Sequence, residues 1–171
     1  MSVSDLHTWI VFLHVAGVVI FLVAHGVSVG VVLRLRAERD PVAVRTLLGL
    51  SRSSLIMAGV GAAIWLVAGI VAGFTGNGGA GWWTTGRYWI WVSLVLAIVI
   101  IGLMTPMGRI YLNRIRMAVG VDPKTGAVAP GFQVDPQALD AAVSSGQPTA
   151  LAVIGVGGLL ALLWLMIFKP F

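Results

Sequence analysis

The chain has three histidines, His7, His14 and His25, and all of them fall in one segment, HTWIVFLHVAGVVIFLVAHGVSV. At about 100° per residue in a helix, the steps from His7 to His14 and from His14 to His25 each come within roughly 20° of a whole number of turns. The imidazoles therefore share a stripe, and Gly17, Phe21 and Ser28 lie on the same face. An imidazole facing lipid is costly, so the stripe is expected to face protein, where an intramembrane ionisable group is a functional-site hypothesis by default. His7 precedes the apolar run and is expected to be wet.

Three chemistries use these residues. In the first, which is the leading reading of the sequence, His14 and His25 offer imidazole to a b-type haem, Gly17 leaves room for the flat macrocycle and Phe21 stacks on it, giving a membrane redox or electron-transfer role. The later apolar segments contain no histidine, so the second axial position falls to a methionine, a symmetric partner or an open site. In the second, copper binds softly: at about 1.5 Å rise per residue His25 lies nearly level with Met57 and Met104, and thioether sulfur suits Cu(I). His14 lies about 16 Å away along the helix axis, level with Trp91 and Trp164. The candidate metal donors are thus His14, His25, Met57 and Met104. In the third reading the imidazoles serve only as hydrogen-bonded links between helices.

The elements that must hold these groups are set by composition. Of the 171 residues, 58% are hydrophobic and 10% charged, and the mean hydropathy is +0.99, far from a soluble domain. Windows 10–33, 55–74, 88–107 and 149–168 hold no charged residue and are long enough to cross a hydrocarbon core about 30 Å thick. The expectation is an all-α, integral membrane four-helix bundle forming one domain over 1–171. The apolar runs are continuous, not alternating, which argues against strands.

Of the 11 Lys and Arg residues, nine flank two connections: Arg34, Arg36, Arg39, Arg45 and Arg52, then Arg109, Arg114, Arg116 and Lys124. Arg87 and Lys169 stand at the other ends of the spans. The positive-inside bias places both basic loops in the cytoplasm and both termini outside, in the inner (plasma) membrane of a bacterium. Anionic lipid is the expected partner of the basic face. Trp9, Trp82, Trp83, Trp89, Trp91 and Trp164 gather at the outer boundary as an aromatic belt, and the loop TGNGGAGWWTTGRYW has the parts to receive a flat ligand such as a quinone head group.

In the connection 108–148, Pro106 is expected to kink the third helix, with RIYLNRIRMAV continuing along the membrane surface as a basic helix. Asp135 and Pro136 signal the start of a short cytoplasmic helix through Ala142. Gly26 with Gly30, Gly59 with Ala63, Gly69 with Gly73, and Gly155, Gly157 and Gly158 have the small-residue spacing that lets membrane helices approach, within the chain or in a homo-oligomer.

Several classes are excluded. With no cysteine there is no disulfide or thiolate chemistry, and with no acid inside any span there is no carboxylate relay. Ser51 to Ser54 have no histidine at their depth to act as a base, and Arg52 among them is expected to snorkel or bind lipid phosphate. The net charge of +5 sits beside the spans, not on a soluble face, so nucleic acid is not the partner. The N-terminus lacks the positive region of a cleaved signal, so the first helix is expected to be retained.

LHVAGVVIFLVAHGVSVGVVLRLRAERDP, Leu13 to Pro41, resembles the opening helix of bacterial integral membrane proteins of the domain of unknown function 2269 family, and GRYWIWVSLVLAI, Gly86 to Ile98, is similar to that family's third helix. More distantly, Leu13 and His14 followed by a basic helix end resemble the copper-resistance D membrane domain and the J-type protoporphyrinogen oxidase. These resemblances imply a bundle of four or more helices and, through the J-type enzyme, haem ligation by His14. No lysine stands within helices two or three to match that enzyme's, and SVGVVLR replaces its YLPR-like run, so the resemblance implies fold more than reaction. A non-catalytic membrane subunit or scaffold is the remaining alternative.

Overall fold

The computed structural model describes residues 2–83 and 87–170. It contains α1 (Val3–Leu35), α2 (Pro41–Thr75), α3 (Tyr88–Ala118), α4 (Pro136–Val143) and α5 (Gln147–Phe168), with a 3-10 turn at Asn77–Gly79. Among the described residues there is no strand, only one antiparallel bridge between Val121 and Val128. Four helices, α1, α2, α3 and α5, are long and apolar enough to cross a membrane.

Local chemistry starts each element. Ser2 and Asp5 form a capping box on α1, with the Asp5 amide donating to Ser2 Oγ at 3.1 Å and the Ser2 amide to Asp5 Oδ2 at 2.9 Å. Asp40 caps α2 ahead of Pro41, and Asp135 caps α4 ahead of Pro136, each carboxylate accepting two amides. At the end of α3, Gly120 takes φ +70°, and the Val121 amide returns to Arg116 O at 2.8 Å.

The helices outrun the spans read from sequence. α1 and α2 have 33 and 35 residues, about 50 Å at the helical rise. The segment after Pro106 also departs from expectation. It continues α3 as one helix, and Tyr111, Leu112, Ile115 and Ala118 on one of its faces are buried in the protein.

That burial locates the core. Val31, Leu35, Val44, Leu48, Tyr111, Ile115, Leu139 and Val143 belong to one cluster where the basic ends of the helices meet α4. Along the spans the opposite holds: at most 17% of any apolar window is buried, so the helices present most of their surface outward, as lipid requires. α1 packs mainly on α2, and α3 mainly on α5. The molecule is thus two antiparallel helix pairs, with direct helix contacts between the pairs few.

Candidate functional site

Polar contacts run the length of the α1–α2 seam. His7 Nδ1 lies 3.0 Å from Thr75 Oγ1, His14 Nδ1 lies 2.7 Å from the Trp65 carbonyl oxygen, and Ser28 Oγ lies 3.2 Å from Ser51 Oγ. A carbonyl only accepts, so the His14 bond requires the proton on Nδ1 and leaves the lone pair on Nε2. The His14 ring also lies over Gly69, where a Cβ would sit 2.8 Å from the imidazole. His7, expected to be wet, is half-buried and hydrogen-bonded across the seam.

Between these ties the backbones touch. A Cβ on Gly17 would sit 2.6 Å from Trp65 N, and one on Gly61 would sit 2.5 Å from Phe21 N. The room expected beside Gly17 for a macrocycle is therefore filled by α2 itself. Glycine stands at Gly17 and Gly61 because only hydrogen fits between the two main chains. At Gly26, Gly30, Gly59 and Gly157, also read as packing residues, a Cβ would meet nothing within 4 Å among the described residues.

His25 is placed differently. Its ring stacks on Phe21, with centroids 5.3 Å apart and planes within 10°, so Phe21 orients a histidine. No described residue hydrogen-bonds the His25 imidazole. Its Nε2 points toward Gly155 of α5 and lies 3.9 Å from where a Cβ would be. Met104 of α3 approaches the same point, with Sδ at 3.5 Å and Cε at 3.0 Å. One nitrogen and one sulfur donor, from different helices, thus converge on a glycine of a third. Met57 does not join them: it is 51% exposed, one residue from the buried Ala58 that faces the seam. Among the described residues no three histidine or acidic side chains form a metal-binding group.

At the end away from the basic loops, Trp83 lies over Gly73 and packs on Phe74 and Trp91, with ring centroids 5.6 and 4.9 Å away. The quinone loop read from sequence also includes Thr84, Thr85 and Gly86, which lie outside the described residues. At the basic end, Arg45 Nε donates to the Val119 carbonyl at 2.9 Å and Arg52 Nη2 to the Lys124 carbonyl at 3.1 Å. Gly126 makes room for the Arg52 guanidinium. Arg52 thus ties α2 to the loop after α3. Neither arginine tie was visible in sequence, since the acceptors are main-chain carbonyls more than seventy residues away.

Compared with protein-family models, curated proteins and solved structures, the chain matches none. Its class follows from the helices: four apolar elements long enough to span a bilayer, compatible with a multi-pass membrane protein.

Proposed function

We propose that the protein is a bacterial inner-membrane protein that holds Cu(I) between its two helix pairs through His25 and Met104, with both termini outside. The observation that carries the reading is the convergence of His25 Nε2 and Met104 Sδ on Gly155. Imidazole and thioether are neutral, and thioether sulfur favours Cu(I) among the first-row metals. A monovalent ion brings the least charge into a site with no carboxylate, which matters where desolvation is costly. Phe21 stacks on the ring and sets its plane.

A second reading rests on His14. The Trp65 carbonyl fixes its tautomer, and a backbone carbonyl is a common anchor for a metal-bound histidine, here leaving Nε2 for a b-type haem with a redox role. One detergent-purified sample separates the readings. Under reducing conditions, competition with a chromophoric Cu(I) chelator is expected to give one ion per chain, lost in His25→Ala and Met104→Leu and kept in Met57→Leu. A Soret band lost in His14→Ala would replace copper with haem. A protein with neither signal would be a packing subunit.

A further inference from the structure

Only two of the eleven basic residues lie away from the basic loops, and the fold brings them together from positions 87 and 169. The Arg87 Cζ stands 4.0 Å from the Trp82 ring centroid. The Lys169 Nζ stands 5.5 Å from the same ring and 5.4 Å from that of Trp89. We infer that Arg87 and Lys169, gathered on Trp82 and Trp89, form a binding site for a phosphate group, carried by an anionic phospholipid head or free in solution.

Charge is the first argument. The ion pairs among the described residues are Arg34–Glu38 and Arg39–Asp140, both at the other end of the molecule. The acid on this side is Asp5, whose carboxylate is engaged in capping α1. Two like charges therefore share one indole with no described side-chain carboxylate between them, and an anion relieves their repulsion.

The donors are the second argument. A guanidinium stacked on an indole uses its face and leaves five N–H groups in its plane, and a lysine ammonium carries three more. None of these donates to a described residue, although Arg87 and Trp82 are half-buried. The platform is also held: Trp82 packs closely on Gly76 at the end of α2, and Lys169 turns back at φ +45° with its amide on Leu165 O at 3.1 Å. Guanidinium fork and ammonium together match the oxygens of a phosphate.

Lipid is favoured as the source by what flanks the cations. Phe168 beside Lys169 and Tyr88 beside Arg87 are 66% and 55% exposed, giving acyl chains an apolar surface next to the charges.

The test uses the full chain, delipidated in a mild detergent and titrated by native mass spectrometry. The probes are dioleoyl phosphatidylglycerol, its phosphate-free diacylglycerol counterpart, and inorganic phosphate. Phosphatidylglycerol is expected to bind above the diacylglycerol background, and Arg87→Gln with Lys169→Gln is expected to weaken its tightest adduct about tenfold. Variant-sensitive binding of inorganic phosphate alone would make free phosphate the ligand. If the double variant loses its helical circular dichroism, Lys169→Gln decides by itself, with a several-fold loss expected. Equal binding of phosphatidylglycerol by wild type and by the folded variants overturns the site.

Discussion

The two helix pairs solve the same problem in opposite ways. The α1–α2 seam is closed by polar links and by backbone contact: His7 to Thr75, His14 to Trp65, Ser28 to Ser51, and Gly17 against Gly61. The α3–α5 seam has no hydrogen bond between its helices among the described residues. Ile100 fills the space over Gly158 and Met104 that over Gly155, while Ser93 turns back to its own Trp89 carbonyl at 2.7 Å. Hydrocarbon offers no hydrophobic drive for helices to associate, so a polar link or a close backbone fit must supply it. A seam fastened by polar groups has one register. A seam made of flexible side chains over glycine can adjust, and the one histidine without a described hydrogen bond faces it.

The largest expected difference lies in the backbone contacts. Gly61→Leu would drive a Cβ into the Phe21 main chain, where neither partner can move without parting the helices, and roughly 3 kcal/mol or more should be lost. At Gly59 on the same helix a Cβ meets nothing among the described residues, and Gly59→Leu should leave the melting temperature in detergent within a few degrees of wild type. Equal melting of both variants would show that the α1–α2 seam is not what holds the pair.

Most of the architecture was legible because lipid admits few solutions: long apolar runs are helices, and Asp135 with Pro136 marks a helix start wherever it falls. The helix α2 is longer than the charge-free window because it runs on past Arg52 and Arg45 to Pro41. The histidine stripe was half right for a geometric reason. Helices packed along a seam repeat every seven residues, so His7, His14, Phe21 and Ser28 stay on it, but the eleven-residue step to His25 overshoots by about 50° in that frame. That rotation carries His25 toward α3 and α5. Depth alone could not orient Met57, because a single residue's turn separates it from the seam-facing Ala58. The partner of His14 was invisible for another reason, being a main-chain carbonyl that every residue possesses.

Middle-sized effects separate the histidines. His14→Ala removes the bond to the Trp65 carbonyl and should cost about 1 kcal/mol, read as a lower melting temperature. His25→Ala breaks no described hydrogen bond and should cost less stability, yet it should abolish Cu(I) retention. Gly155→Ala sharpens the contrast. Its methyl would come within 3.0 Å of Met104 Cε, the end of a flexible side chain, so the fold should adapt while Cu(I) affinity falls about tenfold. If His25→Ala destabilises as much as His14→Ala and copper binding is unchanged, the two histidines do the same job and the division between the pairs is wrong.

The smallest effect concerns how the pairs are joined at the basic end. Arg52 of α2 reaches the Lys124 carbonyl, and that carbonyl is held in place by the turn at Asp122. The Asp122 carboxylate accepts the Thr125 amide at 3.0 Å and the Lys124 amide at 2.6 Å, and these two bonds hold its pKa below the ordinary carboxylate value. A carboxyl whose pKa is lowered by folding adds stability that is complete above its unfolded pKa and is lost as pH falls through the folded one. Between pH 7 and 5 the turn should therefore be unchanged, and below about pH 4 it should loosen as Asp122 takes up a proton. Asp122→Asn should show the loosened state at neutral pH and remove the acid response. Amide hydrogen exchange at Lys124 and Thr125 reads this directly, because acid should speed their opening while amides along the α1–α2 seam keep their protection. If exchange rises in the seam at the same pH, the basic end and the first helix pair open as one unit, and the link through Arg52 is rigid.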